Sequence, residues 1–209
     1  LERYRNSRIV ALSTGTVYSL ANVSDGGSRE TDVPEPVGEY ANACLARERL
    51  FEYYSLHHAT SACIVRLNYA VEMRYGVIVD IARKIVRGEP VDLSMGYFNC
   101  IWQRDANEMC IRALSLCASP AHVLNLTGAE TLLVRDVAER LARLMSRDVV
   151  FTGSESDRAY LNDASHAFDE FGENEISIDQ ILEWTAGWIS RGGATLNKPT
   201  HFEVSDGKY

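Results

Sequence analysis

The stretch Arg8-Ile-Val-Ala-Leu-Ser-Thr-Gly-Thr-Val-Tyr18 decides the fold class. Its short apolar run ends in the small polar residues Ser13, Thr14 and Gly15, the pattern of a buried parallel strand where it meets an active-site loop. Residues 20–37 are rich in Ser, Gly, Asp and Pro, with Gly26-Gly27, Pro34 and Pro36, and read as a long surface loop. From Gly38 to about His58 the pattern turns helical, with Leu45, Leu50, Phe51 and Tyr54 among abundant Arg and Glu. A second strand is predicted at Ala62 to Asn68, and a helix from Val77 to Val86 that stops at Gly88-Glu89-Pro90. An extended patch near Phe98 to Trp102 precedes a helix over Asp105 to Cys117, a strand over Val123 to Leu126 and a helix over Thr131 to Met145 with Thr131 as N-cap. Val149 to Phe151 reads as a short strand, and Ile178 to Ile189 as a final helix closed by Gly192-Gly193. This alternation calls for parallel strands with helices on both faces, a doubly wound α/β sheet, plus a smaller mixed C-terminal part. The chain is read as one domain over residues 1–209. Its sheet core is expected in 1–75 and 98–126, and a substrate-binding region in 76–97 and 127–209.

Five motifs stand in a telling order. Ser13-Thr14-Gly15-Thr16-Val17-Tyr18 is similar to the Ser-Ser/Thr-x-x-Val-Tyr strand end of extended short-chain dehydrogenases/reductases, and Tyr40-Ala41-Asn42-Ala43-Cys44 to their Tyr-x-x-x-Lys helix. Arg66-Leu67-Asn68-Tyr69 resembles that family's strand after the catalytic helix. The stretch from Asn99 to Ala106 resembles its Asp-containing turn, and Asn125-Leu126-Thr127-Gly128 its strand before the C-terminal helices. Each motif is loose alone; together they span nearly the whole chain. The resemblance implies a Rossmann-like fold and an epimerase/dehydratase-type oxidoreductase using NAD or NADP. It also implies a nucleotide-sugar or other polyol or carbonyl substrate, and a homodimer packed through the helix of Tyr40, where Leu45, Leu50 and Phe51 offer apolar surface.

By the same resemblance, Tyr40 exchanges a proton with a substrate oxygen that Thr14 also hydrogen-bonds. A phenol with a pKa of about 10 is a poor base at neutral pH, so a nearby cation must stabilise the tyrosinate. The family places a lysine four residues on, which a helix brings to the same face. Here that position is Cys44, whose neutral thiol contributes little and whose thiolate would raise the tyrosine pKa. Arg47, seven residues from Tyr40 and on nearly the same face, is expected to supply the charge instead. Ser13, Tyr40, Asn68 and Tyr69 are expected at the cofactor, because open α/β sheets bind ligands past their strand ends. Thr16 and Arg104 are assigned to the substrate, with Trp102 and Gln103 beside them, the planar fork of Arg104 suiting a phosphate or carboxylate. The bland alternative keeps each of these as a turn former or a surface residue.

Arg83, Lys84 and Arg87 read as a solvated helix face, and His57-His58 as cations at a helix C-terminus. Lys198 to Glu203 reads as a segment docked on the domain, because His and Phe rarely decorate a free end. No His, Cys, Asp or Glu grouping has metal-ligand spacing.

A net charge of −8 argues against nucleic acid, which is gripped by surplus Lys and Arg. The apolar runs fall short of the roughly 20 residues of a membrane helix, so a soluble, cytoplasmic protein is expected. Five cysteines without a Cys-x-x-Cys pair imply reduced thiols rather than a disulfide framework. No Gly-x-Gly-x-x-Gly occurs in the sequence. Since the strand leading to Thr14 matches about the fourth of the family, about a hundred residues carrying the glycine-rich half are expected before Leu1. The missing lysine motivates a second reading, a non-catalytic dinucleotide- or sugar-binding sensor or scaffold. A cysteine hydrolase pairing Cys44 with His57 or His58 is disfavoured, since the helix separates them by about 20 Å.

Overall fold

The structure, a computed structural model, describes residues 1–207. Three parallel strands, β1 (Ile9–Thr14), β2 (Ala62–Leu67) and β3 (His122–Leu126), form a sheet in chain order. Six helices accompany it: α1 (Gly38–His58), α2 (Val77–Arg87), α3 (Gln103–Arg112), α4 (Val134–Met145), α5 (Ser165–Phe171) and α6 (Ile178–Ser190). Because strand side chains alternate between faces, the in-register rows divide the sheet cleanly. Ala11, Ile64 and Val123 lie on the face covered by α1. Cys63, Val65, Leu124 and Leu126 lie on the other, against Ala106 and Met109 of α3 and Ala167 of α5. The doubly wound α/β class expected from the sequence is the one observed.

The helix α1 is not buried where its large apolar residues suggest. Its buried positions are Ala41, Cys44, Glu48 and Ser55, whereas Leu50 is exposed and Leu45 and Phe51 are half-buried. The small residues Ala41, Cys44 and Ser55 let the helix lie close on the sheet, while Leu50 faces away.

A second core joins α2, α4 and α6, with Ile78, Ile81 and Ile85 meeting Val137, Leu141, Leu182 and Ile189. Helix α2 ends where Gly88 turns left-handed (φ 66°) and donates to the carbonyls of Ile85 and Lys84. Helix α4 begins at Val134 rather than Thr131, because Leu132 and Leu133 pair with Phe98 and Tyr97 as an antiparallel ladder. Helix α3 gives way to a 3₁₀ turn over Ala113–Leu116 instead of running to Cys117. The short strand near 150 is Phe151–Thr152, paired with Val91–Asp92. Helix α5 escaped the sequence reading because its seven residues bury Ala167 alone, too little for a periodic signal. Helix α6 is started by a capping box between Ser177 and Gln180.

The C-terminal segment docks onto α2. Thr200 donates through its N–H and hydroxyl to Asp80 Oδ2 (2.8 Å each), Arg83 donates to Asn197 Oδ1 at 3.1 Å, and Lys84 pairs with Glu203. Phe202, 2% exposed, inserts into the second core with its ring 6.5 Å from that of Phe98. Arg83 and Lys84 thus hold this segment rather than merely facing solvent. All five cysteines are free thiols. Among the described residues no helix is long and apolar enough to cross a membrane.

Candidate active site

The site rests on a polar row across the sheet. Ser13, Arg66 and Asn125 are in-register neighbours on the α1 face, one residue before the strand ends. A guanidinium inside a covered strand needs a carboxylate, since an unpaired buried charge is costly. Glu48 of α1 supplies it, accepting from Arg66 Nε (3.1 and 3.2 Å) and Nη2 (2.7 Å), with both side chains at most 4% exposed. The Ser13 hydroxyl donates to the same carboxylate. Arg66 Nη1 donates to the Tyr18 hydroxyl at 2.6 Å, and that hydroxyl donates to Asn125 Oδ1 at 2.9 Å. Burial pushes the Tyr18 phenol above its ordinary pKa while Arg66 opposes the shift. The Asn125 amide donates in turn to the carbonyls of Ser28 (2.9 Å) and Asp163 (3.1 Å). Five side chains and two loops are thereby locked directly beneath the strand ends.

Beyond this row the chain turns at Thr14, whose Oγ1 caps the following 3₁₀ turn by accepting from the Thr16 N–H at 3.3 Å. Gly15 has no room for a side chain: a Cβ there would lie 2.3 Å from Asn162 Oδ1 and 2.8 Å from Asn68 Cβ. Asn68, 1% exposed, donates to Asn99 Oδ1 (2.8 Å) and the Tyr160 carbonyl (3.3 Å). Tyr69 follows with φ 40°, its ring edge-on to Phe98. A non-glycine residue held in this sparsely populated region is a locally strained backbone.

A cavity of about 550 Å³ opens here and brings together Ser13, Thr14, Thr16, Tyr40, Asn68 and Tyr69. Gln103 reaches its wall; Arg104 does not, being exposed and paired with Glu175 at 2.8 Å. Arg47 also lies outside the lining, exposed, with Nη2 3.5 Å from Cys44 Sγ. Partial burial pushes the Tyr40 phenol above its ordinary pKa and the Cys44 sulfur adds to this. The nearby Thr14 hydroxyl and the charge of Arg47 pull it back. Cys44 itself is 4% exposed and packs with Val17 and Tyr18. Among the described residues no three His, Cys, Asp or Glu side chains gather as a metal site would need.

Two parts of the site were not anticipated from sequence. The Glu48–Arg66–Tyr18–Asn125 network is one, although Arg66 inside an apolar strand was a signal that a carboxylate must face it. The other is the wall contributed by the C-terminal segment, through Lys198, Thr200, His201 and Val204, and by Tyr75 and Tyr160. No periodic pattern in the sequence marks those contacts.

No family model matches the chain, and no curated protein matches it. Solved structures do. RMD from Pseudomonas aeruginosa, complexed with NADPH, superposes with a TM-score of 0.74 at 22% identity, over 88% of this chain and 67% of that one. UDP-glucuronic acid 4-epimerase from Bacillus cereus, in complex with NAD, gives 0.75 at 17% identity, over 88% of this chain and 60% of that one. dTDP-glucose 4,6-dehydratase from Bacillus anthracis, in complex with NAD, gives 0.75 at 19% identity, over 91% and 64%. The chain therefore has the fold that the motif resemblance implied, and it spans 60 to 67% of the length of these three proteins.

Proposed function

We propose that the cavity at the carboxyl end of the sheet is the substrate side of an NAD(P)-dependent epimerase/dehydratase-type oxidoreductase that acts on a nucleotide-sugar or related polyol. The observation that carries this reading is the meeting of Thr14 and Tyr40 in one cavity past the ends of parallel strands. The three structures compared above are complexed with NAD or NADPH, and two of them are named for sugar-nucleotide chemistry.

A cavity wall that sets hydroxyls and amides among apolar residues such as Leu67, Ala70 and Val204, free of Asp and Glu among the described residues, fits the nicotinamide-ribose end of a dinucleotide and a polyol beside it. Ser13, Thr14, Tyr40, Asn68 and Tyr69 would hold that end, while no stretch of this sequence has the glycine pattern that cradles a pyrophosphate. When bound, a nicotinamide supplies acceptance and return of hydride. The residues of the chain do the rest. Tyr40 Oη takes a proton from a substrate hydroxyl or returns it to a carbonyl oxygen. Thr14 Oγ1, pinned by the 3₁₀ turn and by the polar row below it, aligns the same oxygen. Arg47 stabilises the tyrosinate only weakly, because its charge is exposed and is the smallest of the influences on Tyr40.

The test is conversion of UDP-glucose or dTDP-glucose, with NAD⁺ or NADP⁺ supplied, to an epimerised or dehydrated sugar nucleotide, read by chromatography of the products. Tyr40→Phe is expected to lower the rate by about 10²-fold or more; an unchanged rate overturns the assignment. A second reading, a sensor or scaffold that binds without reacting, is favoured by the buried Cys44 at the lysine position. It predicts cofactor binding with no Tyr40-dependent redox change. The exposed apolar residues Leu50, Tyr53 and Leu56 along α1 support a homodimer through that helix, and the free thiols fit a cytoplasmic setting.

A further inference from the structure

The cavity wall has an uneven charge. Its sheet side presents Ser13, Thr14, Thr16 and Asn68, all neutral, and among the described lining residues there is no Asp, Glu or Arg and a single Lys, Lys198. In a protein of net charge −8 an anionic ligand meets an unfavourable overall field, so a cation in the cavity has a local consequence. Among the described residues, Lys84 is the other lysine near this segment and is neutralised by Glu203, whereas Lys198 has no carboxylate partner.

The backbone that carries Lys198 is held in place for this purpose. Upstream, the Leu196 N–H donates to the Arg74 carbonyl at 3.0 Å; downstream, Thr200 is bonded to Asp80 and Phe202 is plugged into the core of α2, α4 and α6. Further along, Gly207 lies so close to Gly38, the first residue of α1, that a Cβ on Gly38 would lie 2.6 Å from the Gly207 Cα. The segment therefore runs from α2 to the first turn of the helix that bears Tyr40.

We propose that the segment from Lys198 to Val204 is a substrate-recognition element, and that Lys198 binds a phosphate or diphosphate group of the ligand whose hydroxyl reaches Thr14 and Tyr40. This rests on the reading of the cavity as a polyol-oxidation site. Lysine can serve this task as a compact point charge with three donors for phosphate oxygens. The site thereby selects phosphorylated or nucleotide-activated polyols over free sugars.

Calorimetric titration of the full chain with inorganic pyrophosphate and with UDP-glucose tests it. Lys198→Met is expected to weaken both by about tenfold, the worth of one hydrogen bond to a charged group, and Lys198→Arg to retain most of the affinity. Phe202→Ala, which unseats the segment without altering a charge, is expected to give the same loss, with folding of each variant checked by its melting midpoint. Tyr40→Phe should leave pyrophosphate affinity unchanged. Absence of pyrophosphate binding by the wild-type chain, or equal affinity in Lys198→Met, overturns the proposal. Binding through Lys198 without any Tyr40-dependent turnover would sink the catalytic reading and leave the anion site standing. Tyr40-dependent turnover with equal affinity in Lys198→Met would do the reverse.

Discussion

The two ends of the three-stranded sheet are built differently. At the carboxyl end the row Ser13–Arg66–Asn125 is polar throughout, and its groups bond to Glu48, to Tyr18 and to loop carbonyls. At the amino end the row Val10–Cys63–His122 is apolar apart from His122, whose Nε2 is buried without a partner among the described residues. Cys63 in that row has its thiol pushed up to about 12, chiefly by burial, which keeps it protonated and inert. Burying polar groups is costly unless each is satisfied. The chain makes that investment under the cavity, where the positions of Thr14 and Asn68 depend on it, and not at the far end.

The strongest way to break this contrast is Glu48→Gln. It leaves the Arg66 guanidinium in the sheet without its carboxylate, and removing one partner of a buried pair is expected to destabilise the fold by about 3–5 kcal/mol. Urea unfolding measures this. The double variant Glu48→Gln, Arg66→Met removes the stranded charge and is expected to recover part of the loss. A single variant as stable as wild type would show that the row is not what secures the strand ends.

A smaller effect sharpens the contrast within α1 itself, where Tyr40, Cys44 and Glu48 follow one another at intervals of four on one stripe. The cation facing this stripe, Arg66 of β2, serves Glu48 and Tyr18, and among the described residues no cation is buried beside Tyr40. Burial and Cys44 hold the Tyr40 phenol above its ordinary pKa, so a reaction that needs the tyrosinate speeds up only as the pH climbs toward that raised value. Cys44→Lys, its stem buried and its ammonium reaching toward the cavity, is expected to bring the Tyr40 pKa down by on the order of one unit. The rise in the pH–rate profile moves to lower pH by the same amount. Tyrosinate absorbance of Cys44→Lys minus that of Cys44→Lys, Tyr40→Phe isolates this phenol from the other nine of the chain's ten tyrosines.

What could be read in advance follows from the range of the forces. Buried parallel strands must be apolar, so β1, β2 and β3 announced themselves, and the order of Ser13-Thr14, Tyr40 and Asn68 located the cavity that the structure forms from them. Glu48 gave no sign of its role, because within Ala46-Arg47-Glu48-Arg49 it resembles any solvated helix charge and its partner lies 18 residues away on β2. Arg104 was assigned to the cavity by proximity in sequence to Trp102 and Gln103, but α3 turns it outward to Glu175. The C-terminal segment was legible as docked, from His201 and Phe202, while its target was not, because the contacts with Asp80 and Lys84 are made more than a hundred residues away.

The smallest effect probes the amino end. Burial, and then the neighbouring His166 ring at 5.1 Å, lower the His122 pKa below its ordinary value, with Glu30 and Glu170 opposing. The neutral imidazole is thus the form the folded chain favours, while the unfolded chain takes up a proton at about pH 6.5. Where the unfolded state binds more protons, stability falls as the pH falls. The contribution of His122 is therefore complete above about pH 6.5 and is lost as the pH drops below it toward the depressed folded pKa. His122→Gln should flatten the fall in unfolding free energy over that acidic interval and leave the neutral-pH value nearly unchanged, by comparison of urea titrations on either side of it. An undiminished acid slope would mean that His122 is protonated as readily in the folded chain as in the unfolded one, and that the amino end of the sheet is no less accommodating to charge than the carboxyl end.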